Sequence, residues 1–600
     1  MSFLPINEKE MKERGWQQPD FVLVTGDAYV DHHSFGTAII GRLLEQYGYK
    51  VAILPQPNYK SAEDFRIFGK PRLGFLINSG VVDSMVNNYS VFKHRRKTDE
   101  YAPGGKTGLR PDRAVIVYAN RAKEAYKDVP VIIGGLEASL RRFGHYDYWS
   151  DKVRRSVLLD SKADLLIYGM GERAILEIAE ALDSGINARD ITWIRGTCYR
   201  AKNLELPGME EAVILPSFDE ISTSKKAYAE SFALQYRNQD SISAKTMAEK
   251  YTDTVYVVQN PPQPPLEREE LDDIYALPFE NEWHPTYDAL GGIPAFKEIK
   301  FSIVSSRGCF GGCSFCAITY HQGRQVRSRS KEAIVREAEV LTHKKDFKGY
   351  IHDVGGPTAN FRFPACEKQL VRGVCPNKDC LYPNVCRNMK VDHSDYLDVL
   401  RAVRGIDGVK KVFIRSGIRY DYLMADPKAD EFIEELCKYH VSGTLKVAPE
   451  HASSKVLYYM RKPDANIFLD FDRKYKETNK KLGLKQYLIP YLISSHPGCG
   501  LREAAELAVF LKEYGFIPDQ VQDFYPTPGT LATCMYHTEL DPFTMKPVYV
   551  AKDMEEKKMQ RALMHYHKKE NEDLVKKALK KINRVDLIGH LIYNNKKPSI

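Results

Sequence analysis

No stretch of the 600 residues approaches the eighteen or so consecutive apolar residues that a membrane helix needs. Met1 to Trp16 contains no apolar run of the kind a secretory signal carries. A cytoplasmic protein without a membrane partner is the expectation. A strong charge is missing as well. The net charge of +8, spread over the whole chain, is a mild bias that permits a nucleic-acid partner without arguing for one. The lysine-rich C-terminus interleaves no aromatic rings, so base stacking finds no support there. The paired C-x2-C units of a zinc knuckle are absent too, which weakens zinc as the first reading of the cysteines.

Hydrophobic residues make up 43% and charged residues 28%, the balance of an ordinary globular protein. The length exceeds one core, so two or three domains are expected. Eleven cysteines in a reducing compartment do not form a disulfide framework. Seven of them fall between Cys309 and Cys386, which points to metal. Cys198, Cys437, Cys499 and Cys534 are scattered and read as buried, inert thiols.

Residues 1–215 alternate short apolar runs with helical patterns. Runs at 21–27, 50–54, 72–77, 129–135 and 163–172 read as buried parallel strands, with helices over 36–47, 113–126 and 173–182. That pattern predicts a Rossmann-like α/β domain with its ligand crevice at the carboxyl ends of the strands. Asp31-x-His33-x-x-Gly36 fits a pattern by which some Rossmann-like domains offer a histidine to the cobalt of cobalamin. The plainer reading, a turn histidine on a nucleotide-type fold, is preferred, so cobalamin is not expected. Residues 216–295 lose the alternation. A helix is predicted over 217–235, and the proline run at 261–265 reads as extended connector, since proline lacks the backbone donor and clashes with the preceding turn.

From 296 to 550 the alternation is regular. Strands are predicted at 301–305, 350–354, 411–415, 444–448, 486–492 and 520–525, with helices over 331–343, 395–404, 427–439, 465–482 and 501–514. Six such units predict a (β/α)6 part-barrel, whose chemistry sits at the C-terminal strand ends. Every predicted strand does end on polar or backbone-exposing residues, such as Gly355-Gly356-Pro357, Ser416-Gly417, Glu450-His451 and Ser495-His496. A cysteine-rich insertion occupies 360–390. Residues 551–600 read as a basic tail with one solvated helix running through 581.

The first of these strand ends carries Cys309-x3-Cys313-x2-Cys316 on a glycine-bearing loop. Three thiolates from one loop can grip one metal cluster. A four-iron cluster takes four ligands, so one iron is left for something else. Cys309-Phe310-Gly311-Gly312-Cys313-Ser314-Phe315-Cys316, with an aromatic residue before the third cysteine, resembles the signature of the radical S-adenosylmethionine (SAM) enzymes. Together with Asp27–Asp31, His321–Arg324, Gly355–Asn360 and Lys446–His451 it is similar to the YgiQ-type family of that superfamily, which has no assigned substrate. The resemblance spans residues 3 to 590.

The resemblance implies a radical SAM barrel with a 4Fe-4S cluster on Cys309, Cys313 and Cys316 and SAM on its open iron. It implies reductive cleavage of SAM to methionine and a 5′-deoxyadenosyl radical, acting on an unknown substrate. The electron would come from a donor such as a flavodoxin or ferredoxin. Phe315 is expected by the adenine, and Gly355 and Gly356 let backbone approach the methionine amine. The family's usual third residue there is Glu, and Pro357 replaces it. Arg415, Ser416 and Arg419 are candidates for the ribose or carboxylate. Glu450, His451 and His496 are candidate catalytic groups, with Tyr525 beside them. Cys366-x8-Cys375-x4-Cys380-x5-Cys386 leaves a second iron–sulfur cluster and a structural zinc both open. The competing readings are a cobalamin-dependent methyltransferase or a methylthiotransferase and, from another class, a non-catalytic metal-stabilised RNA-binding protein.

Overall fold

The structure, a computed structural model, describes residues 2–205, 209–518 and 521–593. Short runs of Val, Ile and Leu with both faces buried build the N-terminal sheet. Strands Phe21–Thr25 (β1), Val51–Pro55 (β2), Gly74–Ile77 (β3), Val131–Ile133 (β4) and Leu165–Ile167 (β5) are parallel, in the order β2-β1-β3-β4-β5. Helices Gly36–Gln46 (α1) and Glu172–Asp183 (α3) pack on one face with Leu23, Leu76 and Ile132. Helix Ala114–Ala125 (α2) packs on the other with Val22, Val24 and Phe75. The strand order reverses between β1 and β3, which opens a crevice at their carboxyl ends.

The sheet continues past the expected boundary at 215. Thr197–Ala201 (β6) runs antiparallel to β5, and the hairpin Met247–Thr252 (β8) and Val255–Gln259 (β9) pairs with it through β9. Val213–Ile214 (β7) lies beside β8 on the outer edge. The expected connector at 216–295 therefore begins only after Gln259. Polar side chains hid the hairpin. Glu249 stands in mid-strand, buried, and is accommodated by bonds from the Gly144 amide and the Tyr251 hydroxyl. The helix expected over 217–235 is broken at Ser224 into Phe218–Thr223 and Lys225–Arg237, where the Ser224 side chain caps the second segment.

The second unit is the expected six-stranded part-barrel. Ser302–Val304 (β10) pairs in parallel with Asp353–Gly355, and Tyr350–Ile351 of the same strand (β11) pairs with Lys411–Val412 (β12). Thr444–Glu450 (β13), Tyr487–Ser494 (β14) and Gln522–Asp523 (β15) form a parallel trio. Gln520, at the start of the sixth expected strand, lies outside the described residues. In β13 the buried Leu445 and Val447 alternate with the exposed Lys446, the period-two pattern of a strand with one face in the core. No ladder joins β12 to β13 among the described residues; Val412, Ile414, Leu445 and Val447 share one core instead. Helices Lys331–Thr342 (α4), Ser394–Arg404 (α5), Ala429–Glu435 (α6), Ala465–Leu482 (α7) and Leu501–Tyr514 (α8) lie at or within the expected ranges, α5 starting one residue earlier.

The tail differs from expectation. Its two longest described helices are Met554–Met564 (α9) and Glu572–Lys581 (α10), and neither is simply solvated. Met559, Leu563, Val575 and Leu579, spaced four residues apart within each helix, are buried against Leu507 and Leu511 of α8. No described helix is long and apolar enough to cross a membrane.

Candidate active site

The three-cysteine loop leaves β10 and is shaped by a close approach. Gly308 has φ +81°, and a Cβ there would stand 1.9 Å from the Gln325 carbonyl oxygen. The Gly308 amide donates to Gln322 Oε1 and the Cys309 amide to the Gly323 carbonyl, so the loop is clamped on the segment that follows it. Each thiol then has a donor aimed at it. The Gly311 amide lies 3.4 Å from Cys309 Sγ, and Arg419 Nη1 lies 3.2 Å from Cys313 Sγ. The amides of Ile318 and Thr319 face Cys316. Burial pushes the Cys316 thiol up to about 12, and these donors favour its thiolate.

The barrel mouth faces the carboxyl edge of the N-terminal sheet across a cavity of about 790 Å³. Its barrel wall holds Ser306, Gly355, Gly356, Arg415 and Ser416. Its deep end runs between the sheet and helices α1 and α3, among Leu23, Ile39, Leu76, Ile132 and Ile175. A Cβ at Gly355 would meet Ser416 Oγ at 1.8 Å, and one at Gly356 would meet the Ser306 carbonyl at 2.7 Å. Asp353 ties the third strand end to the second, accepting from the amides of Arg415 and Ser416 at 2.8 and 3.3 Å. Glu172 and Arg307 form a buried ion pair between the two units, with the Tyr275 hydroxyl on Arg307 Nε. Glu172 Oε2, Arg307 Nη2 and Ser306 Oγ are buried on this wall with no hydrogen-bond partner. Such atoms are costly unless a ligand or water meets them.

The other sequence candidates sit differently. Arg419 does not reach the cavity. Its guanidinium is held by both oxygens of the buried Asp421, at 2.6 and 3.0 Å, and is turned toward Cys313 and the Gly311 carbonyl. Phe315 packs edge-on to His496, bordering the core shared with the C-terminal helices, and does not line the cavity. His496 Nδ1 donates to the Pro497 carbonyl, so Nε2 accepts from Ser314 Oγ at 3.1 Å. Ser314 lies between Cys313 and Cys316, which makes His496 an anchor of the cysteine loop. His451 Nδ1 accepts the Ser453 amide, a local turn. Tyr525 donates to the Tyr89 carbonyl across the interface between the units. Glu450 is buried, with φ +70° and Lys462 Nζ 4.0 Å away; burial raises its carboxyl above the usual range.

His321, which the sequence offered only inside a matching segment, does line the cavity. Ser139 Oγ accepts the Gly169 amide and shares a hydrogen bond of 3.0 Å with His321 Nδ1, which ties the ring to the end of the N-terminal sheet.

Family profiles for the radical SAM N-terminal domain match residues 3–302, and for the radical SAM superfamily residues 303–491. A domain of unknown function, DUF3362, matches residues 519–597. A UPF0313 protein of Clostridium botulinum (strain Kyoto / Type A2) is 57% identical over 590 residues, covering 98% of this chain and 91% of the relative. The chain belongs to the UPF0313, or YgiQ-type, family of radical SAM proteins. A UPF0313 protein of Clostridium perfringens (strain SM101 / Type A) is 58% identical over 588 residues, covering 98% of this chain and 88% of the relative. Among solved structures, the radical SAM methyltransferase TsrM from Kitasatospora setae, with tryptophan substrate and a SAM analogue bound, superposes with a TM-score of 0.47 at 13% identity, over 85% of this chain and 74% of that one. The cobalamin-dependent SAM radical enzyme OxsB, with aqua-cobalamin bound, gives 0.48 at 13% identity, over 96% and 63%. Superpositions that loose carry no argument about ligands.

Membership in UPF0313 implies a 4Fe-4S cluster and SAM, and the residues fit both. Three thiols on one loop with donors aimed at them suit a cluster. The glycine cradle at Gly355–Gly356 and the unpartnered polar atoms beside it suit SAM. Among the described residues no three His, Cys, Asp or Glu side chains gather closely enough for a single metal ion, this cysteine trio included.

Burial in and around this UPF0313 site has a consequence for acid stability. Burial lowers His33 to about 3, and His145, His321 and His440 to about 4. In the unfolded chain each titrates near 6.5, so below that pH the unfolded state binds more protons. Stability is therefore full above about pH 6.5 and lost as pH falls toward 4, by about 1.4 kcal/mol per histidine already at pH 5.5. Denaturant midpoints measured between pH 7.5 and 5.5 check this; a flat profile contradicts it.

Proposed function

We propose that this protein holds a 4Fe-4S cluster through Cys309, Cys313 and Cys316, binds SAM at the barrel mouth, and uses them on a substrate admitted between the two units. When bound, these groups supply a one-electron cleavage of SAM that yields methionine and a 5′-deoxyadenosyl radical. The residues bind, orient and exclude water. Gly355 and Gly356 let main chain approach the ligand, and Ser306, Arg307 and Ser416 offer polar contacts. Arg415 stands at the rim, where its loose contact with Glu298, 3.6 Å, leaves it available to a carboxylate. The apolar far wall keeps water from a reactive carbon centre. The observation that carries this reading is the loop itself: three thiols, each with its own donor, next to a glycine cradle. The electron donor is proposed to be a flavodoxin or ferredoxin.

The test is direct. Anaerobically purified protein, given dithionite and SAM, should form 5′-deoxyadenosine and methionine in equal amounts. Formation no greater than in the enzyme-free control would overturn the proposal.

The depth of the cavity favours a second reading, in which the N-terminal unit holds a corrin at His33. His33 and Gly36 line the cavity, and an apolar slot between α1 and α3 would take an apolar tail. Against it, Asp31 is consumed by a buried ion pair with Arg42, and His33 Nε2 faces Glu337 at 3.5 Å. Bound corrin colour that disappears in His33→Ala would favour this reading. A non-catalytic RNA-binding role is disfavoured by membership in the radical SAM superfamily.

A further inference from the structure

The insertion between Cys366 and Lys390 is poorly explained by its own packing. Its one regular element is the five-residue helix Lys368–Arg372. Val374 and Leu381 are its buried apolar side chains, while Leu370 and Val371 are exposed. A loop this long with so little core usually needs a staple. Its ends are nonetheless tied, because the Lys390 amide donates to the Ala365 carbonyl at 2.9 Å. Its middle folds back as well, with the Cys386 amide on the Cys380 carbonyl at 2.8 Å.

The four thiols lie where a staple would act. All four are free and only partly exposed. The Gln369 amide donates to the Cys366 carbonyl at 3.1 Å, so Cys366 and Cys380 meet around one residue. Gln369 Nε2 donates to Cys380 Sγ at 3.5 Å, while Gln369 Oε1 accepts the Ala365 amide. The buried Arg324 bonds the carbonyls of Cys375 and Lys378, yet its Nε has no partner. A guanidinium there offsets the charge of several thiolates. Asp379, next to Cys380 in the chain, is already shared by Arg324 and Arg461 at 3.1 and 2.9 Å, which leaves the sulfurs as donors. Cys386 lines an open cavity of about 520 Å³ with Lys378 and Arg387, which gives a metal a way in. The insertion also touches the first loop: Asp379 lies 3.3 Å from where a Gly312 Cβ would stand, and Cys380 and Cys309 border the same small core around Phe310 and Phe361.

We propose that Cys366, Cys375, Cys380 and Cys386 hold a second, thiolate-bound iron–sulfur centre that staples this insertion onto the Cys309–Cys316 loop. Four thiolates suit an iron–sulfur cluster, whose ligands stand wider apart than those of a single ion. The site does not depend on the function proposed above, because it can be assayed in protein that lacks the first three cysteines.

Iron, acid-labile sulfide and zinc are to be measured on anaerobically purified full-length chain carrying Cys309→Ala, Cys313→Ala and Cys316→Ala. The expected result is about four irons and four sulfides per chain; zinc in place of iron would overturn the proposal. Adding Cys→Ser at 366, 375, 380 and 386 should remove that metal. Metal-free protein in the first variant, or metal unchanged by the second, would overturn the proposal. Should the sevenfold variant fail to fold, wild-type protein gives an independent reading. Cys386 should react with iodoacetamide at least about tenfold faster after chelation than before. Equal rates would count against the centre.

Discussion

Replacing Cys309, Cys313 and Cys316 by alanine should lower 5′-deoxyadenosine formation at least about 10³-fold, about 4 kcal/mol of transition-state stabilisation or more. The reason is compositional. The three thiols come from one loop, so no protein group nearby can substitute for them. The Asp379 carboxylate is spent on Arg324 and Arg461, and His496 on Ser314 and the Pro497 carbonyl. Loss of activity should come with loss of about four irons per chain, while far-ultraviolet circular dichroism stays near wild type because the surrounding barrel core contains none of the three sulfurs. A triple variant that still cleaved SAM under dithionite would refute the assignment of the cluster.

The second large effect belongs to Arg419. Truncating it to alanine leaves Asp421, 3% exposed, as a buried and uncompensated carboxylate. Breaking such a pair by removing one partner costs about 3–5 kcal/mol. The damage should reach the cysteine loop, because Arg419 Nη1 also donates toward Cys313 Sγ and the Gly311 carbonyl. The Arg419 main chain is fixed from the other side. Its amide donates to Asn360 Oδ1 at 2.9 Å, and Asn360 Nδ2 reaches the ring of His393, which in turn meets Asp426. Denaturant unfolding of Arg419→Ala, Asp421→Ala and the double variant separates charge from packing. The double variant should recover at least about 1 kcal/mol relative to Arg419→Ala, since it no longer buries a lone charge. No recovery would mean that the pair does not act as a pair.

Both effects bear on how the site was legible. The cysteine spacing pointed to a cluster because three thiols within eight residues need no tertiary contact to be close. The six strand ends were likewise readable, since buried parallel strands are apolar runs and their carboxyl ends break to glycine and polar residues. The roles of Arg419, His496 and Phe315 were not readable. A guanidinium suits a carboxylate ligand and a protein carboxylate equally well; Asp421 is only two residues on, and it is folding that buries the pair and turns it toward Cys313. His496 looks like a proton-transfer group until Ser314 arrives from a loop far away in sequence. The hairpin at Met247–Gln259 was missed because Glu249 interrupts its apolar pattern, and its compensating partners, Gly144 and Tyr251, meet it only in the sheet.

By itself the sequence determined the family, the trio of closely spaced thiols proposed to hold the cluster and the succession of two α/β units, because these follow from local spacing and from the period of the apolar residues. Only the tertiary structure decided which polar groups line the cavity and which are bound into the scaffold. Glu172, Arg307, Ser306 and His321 come together on one cavity wall, and Arg419, His451 and His496 are bound into the scaffold. The physical reason is that a side chain's chemistry is set by its partners and its burial, and several of those partners, such as Ser314 for His496 and Ser139 for His321, lie more than a hundred residues away.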